Sequence, residues 1–334
     1  MSKVCINFDI KHEFVEEPGI KHEFLVFNPE NVVLDTVLSA RLFSKQMGKC
    51  VFEYLNKLIK NEENTEKKKI YKNTLNWVYK KAVTHPICVE NYTKAVLKKL
   101  KDKPEITALS LSYGQIYKDL SIAAILHDIG RLSEIDIANG VVLMNLGKLR
   151  LHHASIGYNI LEKTSIKTEI MLAIKHHRFA DVSELLKDPE YLKLSENSKK
   201  IARFYTEIIQ DTDKLANLDE RAKHGATKSS EYYNPSYLKD YKISKDVMQQ
   251  AMSGHYVGTA VKHLLDIMVH YITWGYETHF AESKEELAEV TPEIFKRIYE
   301  EIQREYENSA IKDENTLAET LSMVDELKKT VQNN

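Results

Sequence analysis

The chain has 334 residues, 43% of them hydrophobic, with 47 basic against 49 acidic side chains and a formal net charge of -2. That is long enough to bury a full core without staples, and the balanced charge excludes a global field drawing it to nucleic acid or anionic lipid. Cys5, Cys50 and Cys88 are scattered without CxxC spacing, no apolar run approaches bilayer length, and the opening MSKVCINFDIKHEF has no basic-then-apolar leader pattern, so a cytoplasmic protein without membrane association or thiolate metal site is expected.

Residues 1–30 contain the near-duplicate IKHEF, at Ile10–Phe14 and Ile20–Phe24, around the turn residues Glu16, Glu17, Pro18 and Gly19. This predicts a β-hairpin. Its His12, Glu13, His22 and Glu23 fit a solvated face or a small metal site, because nothing in the sequence fixes the register. Over 31–80 a helical extension is expected: Asn31–Lys60 reads as one long helix or a pair, and the charge run Asn61–Lys69 as a solvated linker or helix end. Residues 81–230 form the expected core. After a break at Tyr232–Pro235, helical patterns predict a C-terminal subdomain over 231–334 packed on that core, with Tyr271, Ile272, Trp274 and Tyr276 as an aromatic cluster of its interior. The fold class is therefore all-α: a helical bundle with a short N-terminal β-hairpin and a C-terminal helical extension.

Five segments between Thr84 and Leu218 place apolar residues at helical spacing, and each carries a histidine or aspartate at or near the apolar side. His85 heads the first. The second ends in Leu126-His127-Asp128-Ile129-Gly130-Arg131, where a buried carboxylate beside an imidazole requires a partner that a cation supplies; Gly130 is expected to end the helix in a left-handed conformation and turn Arg131 back toward the site. The third has His153 and Gly157 one turn apart, so that the glycine admits a close neighbour. The fourth ends in His176-His177, and the fifth carries Asp211 and Asp213 on either side of its stripe, Asp211 lying nearer. His152, His263, His270 and His279 read as ordinary core histidines. Imidazole and carboxylate without thiolate suit one or two divalent ions, among Mn, Fe, Co, Ni, Zn and Mg.

The order of His85, then LHDIG with His127 and Asp128, then TDKLAN with Asp213 resembles the HD superfamily of metal-dependent phosphohydrolases. The last segment is similar to the ADRLHN stretch of ppGpp hydrolases, which selects Asp213 over Asp211. The further histidines resemble the dinuclear HD-GYP proteins, where HxxxG and HH follow the HD pair, here His153–Gly157 and His176-His177. This chain continues Arg178-Phe179-Ala180-Asp181-Val182 in place of a GYP motif, so cyclic di-GMP is not the expected substrate, and Lys81 stands where some relatives carry an acidic ligand for a third metal. Residues 243–282 are similar to the C-terminal helices of bacterial HD proteins.

The resemblance implies metal ligation by His85, His127, Asp128, His153, His176, His177 and Asp213, with Asp128 as the bridge. It implies catalytic roles for Asp128, Arg131 and His176, and phosphate contacts from Arg131, Lys175 and Lys214, with Arg178 as a lesser contributor or a plain ion-pair partner. The expected activity is hydrolysis of a small phosphoester, a nucleotide foremost, through a metal-activated water; the sequence leaves the oligomeric state open, a dimer included. Two other readings share the ligand set: a mixed-valent di-iron oxygenase, and a non-catalytic nucleotide-binding module.

Overall fold

The structure is a computed structural model that describes residues 8–17, 20–139, 141–142, 152–178, 181–225, 238, 240–254 and 261–333. Helices dominate it, joined by a small antiparallel sheet in the order β1 (Phe8–Glu17), β2 (Ile20–Pro29), β3 (Ile135–Asp136) and β4 (Val141–Val142). The all-α class with an N-terminal hairpin is thus the observed one. In the hairpin Phe8 pairs with Pro29 and Glu17 with Ile20, and β2 then pairs with β3 at Phe24 and Asp136. Register and pleat put His12 and Glu23 on one face, 2.6 Å apart, and send His22 to the other, where its Nδ1 lies 2.9 Å from Asp136. The IKHEF residues therefore do not converge on a metal. Asp136 also accepts from the Glu23 and Ala138 amides and the Asn139 side chain, so it ties the hairpin to the segment after Arg131.

Helix α1 (Val37–Asn61) is one helix, opened by a capping box between Thr36 and Ser39 and buried along Ala40, Phe43, Met47, Val51 and Leu55. Of the charge run after it, only the first residues form a linker. The Asn64 side chain accepts from the Glu66 and Lys67 amides and starts α2 (Thr65–Tyr79) there. A single π turn, Lys80–Thr84, joins α2 to α3 (His85–Leu100). After α4 (Pro104–Thr107) comes α5 (Tyr113–Leu126), capped by Ser112, which packs on α3; Val89, Val96, Leu97, Ile116, Leu120, Ala123 and Ala124 are fully buried there. A 3-10 turn, Ile129–Ser133, leads to β3. Then follow α6 (His153–Leu161), α7 (Thr168–His176), α8 (Ser183–Lys187), α9 (Pro189–Leu192) and α10 (Glu196–His224).

The chain divides into two compact units, 1–213 and 214–334, at a boundary inside α10. That is earlier than the position 230 expected from the sequence, and the Tyr232–Pro235 break lies outside the described residues. The second unit holds α11 (Lys245–Met252), α12 (Leu264–Thr273), α13 (Ala281–Asn308) and α14 (Glu314–Asn333) around Met248, Leu265, Met268, Val269, Ile294, Phe295, Ile298 and Leu327. Its aromatic cluster is half-buried, with the Tyr271 and Trp274 rings 4.4 Å apart, while Ile272 is buried in the core. No helix among the described residues is long and apolar enough to cross a membrane.

Candidate metal centre

Two histidines reach the centre by the same local device. His127 is the C-cap of α5 and His177 the C-cap of α7, where the last carbonyls lack helical partners. The His127 Nδ1 lies 2.8 Å from the Ala124 carbonyl, and the His177 Nδ1 lies 2.7 Å from the Ile174 carbonyl. A carbonyl oxygen only accepts, so both Nδ1 atoms carry hydrogen and donate, and each Nε2 is turned toward the cluster. His85 comes from the start of α3, His153 from the start of α6 and Asp213 from the middle of α10.

The distances sort most of these groups into two half-sites that share Asp128, with His127, His177 and Asp213 forming a further convergent set between them. In the first, His85 Nε2 lies 3.0 Å from Asp213 Oδ1 and 3.3 Å from His127 Nε2, and His127 Nε2 lies 3.4 Å from Asp213 Oδ1. Asp128 Oδ2 is 3.7 Å from both imidazoles. In the second, His153 and His177 Nε2 atoms are 3.3 Å apart, and Asp128 Oδ1 lies 3.3 Å from the first and 3.6 Å from the second. An ion with ligands at about 2.1 Å spaces neighbouring donors roughly 3.0–3.4 Å apart; the closest pairs of both sets match this, and three of the four separations to Asp128, at 3.6–3.7 Å, are a few tenths wider. His85, His127, Asp128, His153 and His177 are buried, and Asp213 is partly so.

Protonation agrees with metal ligation at His85, His153 and the two aspartates, and runs against it at His127. Burial and the Lys81 charge push His85 down to about 4, against the pull of Asp213. Burial and Arg131 hold His153 well below the imidazole range, against Asp128. Neutral imidazole is the ligating form. His127 moves up: burial opposes its charge, but Asp128 and Asp213 prevail. Burial likewise opposes the two aspartates, yet Lys81 and Arg131 hold Asp128, and His127 and His85 hold Asp213, well below the carboxylate range.

The second half-site depends on a close approach of backbone to backbone. A Cβ on Gly130 would lie 2.0 Å from the His153 carbonyl oxygen and 2.5 Å from the Gly157 nitrogen, so only glycine lets the 3-10 turn press on α6. Gly157 faces it, since its own Cβ would meet Ile129 at 3.3 Å. Gly130 is not among the residues of positive φ, so the expected left-handed cap is corrected: the residue is glycine for space, not for conformation.

Not every expected residue arrives. His176 is directed away, its Nε2 2.8 Å from Asp188 Oδ2, because neighbours on a helix point about 100° apart. Lys175 Nζ pairs with the same Asp188 oxygen at 2.7 Å and lies over the Tyr158 ring. Lys214 belongs to the second unit and donates to the Glu277 carbonyl. Asp211 is fully buried but is not in the groups that converge on the cluster. Arg131 does arrive, its Nε donating to Asp128 Oδ1 at 3.0 Å and its Nη1 to Glu134 at 3.2 Å.

The contacts of two residues escaped the sequence reading, which noted Lys81 only as standing in the place of an acidic ligand. Lys81 is buried with Nζ 2.7 Å from Asp128 Oδ2. Glu134, pushed up to about 7 by burial against the pull of Arg131, accepts from the His153 backbone amide, while its Oε1 lies 3.5 Å from a His153 Nδ1 that makes no hydrogen bond among the described residues. The apolar stripe gives no sign of either; only the spacing of Glu134 one turn beyond Arg131 hints at their pairing.

Residues 83–218 match the HD domain family. That span holds all six clustered residues. Neither the comparison with curated proteins nor that with solved structures found a match.

Proposed function

With residues 83–218 an HD domain that carries a candidate metal centre, we propose that the chain is a metal-dependent phosphohydrolase acting on a small phosphoester, a nucleotide foremost. The observation that carries this reading is the sharing of Asp128, whose Oδ2 faces His85 and His127 and whose Oδ1 faces His153 and His177. His85, His127, Asp213 and Asp128 would hold one ion, and Asp128, His153 and His177 a second. Divalent ions so held lower the pKa of a water toward neutrality and offset charge on phosphoryl oxygens.

The chain's own groups prepare the site for an anion. Arg131 reaches it from a side chain 19% exposed, its fork fixed by Asp128 and Glu134. Arg178 adds a second guanidinium: burial and the Arg131 charge both lower its affinity for a proton, so the two positive fields overlap. Like charges held together are stabilised by a bound polyanion, and a guanidinium matches phosphate oxygens two at a time. Lys175 and Lys214 pair with Asp188 and the Glu277 carbonyl, which leaves Arg131 as the phosphate contact best supported by geometry. Asp128 fixes both half-sites relative to each other, and Glu134 ties Arg131 to the start of α6 through the His153 backbone amide.

The test is metal analysis of anaerobically purified protein, then a panel of nucleotides and simple phosphoesters with the metal found and dioxygen uptake followed in parallel. Metal-dependent phosphate or nucleotide release, abolished in Asp128→Asn, is expected. Dioxygen consumption with a mixed-valence di-iron EPR signal and no phosphoester turnover would replace the proposal with the oxygenase.

A further inference from the structure

We propose that Lys81 is a resident cation of the centre: its ammonium compensates Asp128 before any metal arrives, and it opposes binding of a divalent ion by His85, His127 and Asp213. This rests on the metal-centre reading above but not on the phosphoester substrate.

The argument begins with Asp128, whose side chain is 3% exposed. An ionised carboxylate so buried cannot stand alone. Each oxygen has its own cation: Arg131 Nε at 3.0 Å from Oδ1, on the side of His153 and His177, and Lys81 Nζ at 2.7 Å from Oδ2, on the side of His85 and His127. The two cations differ. Arg131 is shared with Glu134 and reaches solvent, whereas the Lys81 side chain is 5% exposed and enters from the protein interior.

A dedicated piece of backbone brings it there. Lys81 sits in the π turn Lys80–Thr84, a local widening of the helix of a kind that recurs at functional sites. Helix α1 braces this turn from behind. The Ser44 hydroxyl donates to the Ala82 carbonyl at 2.9 Å, and Gly48 approaches so closely that a Cβ there would lie 2.6 Å from the Ala82 Cβ. The N-terminal helical extension therefore has a use at the centre: it fixes where the ammonium sits.

The second half of the proposal is electrostatic. An ion bound to Oδ2 at about 2.1 Å shares that oxygen with an ammonium 2.7 Å away, so the two cations are at most about 5 Å apart. Even with the effective dielectric of a protein, that repulsion weakens binding at least tenfold. Neutral Lys81→Met, close in length and apolar, removes it.

The test uses the full chain, stripped with a chelator, and reads thermal midpoint and calorimetric Mn2+ titration rather than turnover. In Lys81→Met the stripped protein melts roughly 10 °C lower, because a buried pair has lost one partner, whereas Mn2+ binds one site about tenfold more tightly or better. Lys81→Arg, which keeps the charge, retains most of the stripped midpoint. The double variant Lys81→Met with Asp128→Asn recovers much of the lost midpoint, since neither charge remains. An unchanged midpoint in Lys81→Met, no recovery in the double variant, or weaker Mn2+ binding in Lys81→Met would each overturn the proposal. Should Lys81→Met require metal to fold, rescue by saturating Mn2+ supports it and failure of that rescue refutes it. Inactivity toward every phosphoester would leave all these readouts standing, so the two proposals fail separately.

Discussion

Gly130→Ala tests the contact that assembles the second half-site. The new Cβ would stand 2.0 Å from the His153 oxygen, 2.5 Å from the Gly157 nitrogen and 2.9 Å from the His153 carbonyl carbon, all backbone atoms that cannot rotate away. Contacts below 3.0 Å essentially never occur, so the 3-10 turn and α6 must part by about 1 Å. Overpacking of this kind costs about 1–3 kcal/mol, or roughly 5 °C in midpoint for a unit of this size. The larger effect is on metal. His153 Nε2 now lies 3.3 Å from Asp128 Oδ1, and about 1 Å more exceeds the spacing of neighbouring ligands on one ion. Metal analysis with calorimetric titration should find one ion in place of two, with the site of His85, His127 and Asp213 retained. Gly114→Ala is the control: nothing lies within 4 Å of its Cβ on the exposed side of α5, so it should be neutral or stabilise by up to about 1 kcal/mol. A Gly130→Ala protein with native midpoint and two ions would show that the turn does not hold the second half-site.

Three further outcomes follow from the same geometry. Asp213→Asn should lose the ion of the first half-site while Asp211→Asn keeps metal stoichiometry; a reversed result by elemental analysis would move the ligand to the opposite side of α10. His176→Asn should leave metal content intact and lower stability by about 1–2 kcal/mol through its lost pairing with Asp188, whereas loss of an ion would return His176 to the ligand set. The stripped protein should lose stability as pH falls from about 7 to about 5. Burial holds His85 at about 4 and His152 at about 3, with His153 also well below the ordinary 6.5, so the unfolded chain takes up protons there that the folded chain refuses. His127 and Glu134 act oppositely: the raised value of His127 gives stability that is full below 6.5 and lost as pH rises through the folded value, and that of Glu134, about 7, gives stability gained as pH falls from about 7 toward 4.5, but these are two groups against the four lowered imidazoles, His176 included. A flat or rising midpoint on acidification would contradict this.

What could be read in the sequence was whatever follows helical period and residue type. The stripe of α5 ends at His127-Asp128, and the stripe of α10 carries the aspartates, so the helical class and the order of candidate ligands were legible without coordinates. Resolution failed wherever the answer depended on angles within one turn. His176 and His177 are adjacent, and only the C-cap geometry, with Nδ1 on the Ile174 carbonyl, decides which enters the cluster. Between Asp211 and Asp213 the wheel alone pointed to Asp211, because a wheel drawn for a straight helix marks the most apolar side, and only the likeness of TDKLAN to ADRLHN selected Asp213, the aspartate found in the cluster. Lys81 was illegible for a different reason: a π turn breaks the 3.6-residue period on which such a reading rests.

The same geometry makes the two half-sites depend on different parts of the chain. The first draws its ligands from α3, α5 and α10, elements 128 residues apart in sequence at His85 and Asp213, so it exists only once long-range packing is complete. The second draws His153 and His177 from α6 and α7, which pack together and are pressed on the turn after Asp128 through Gly130. Asp128 belongs to both, and its compensation by Lys81 and Arg131 lets the turn settle before either set is loaded. Changes at Gly130, Gly157 or Glu134 should therefore weaken the second ion alone, changes along α10 the first alone, and only changes at Asp128 both. An α10 substitution at Asp213 that removed both ions together would mean that the centre assembles as one unit, with the first half-site a precondition of the second.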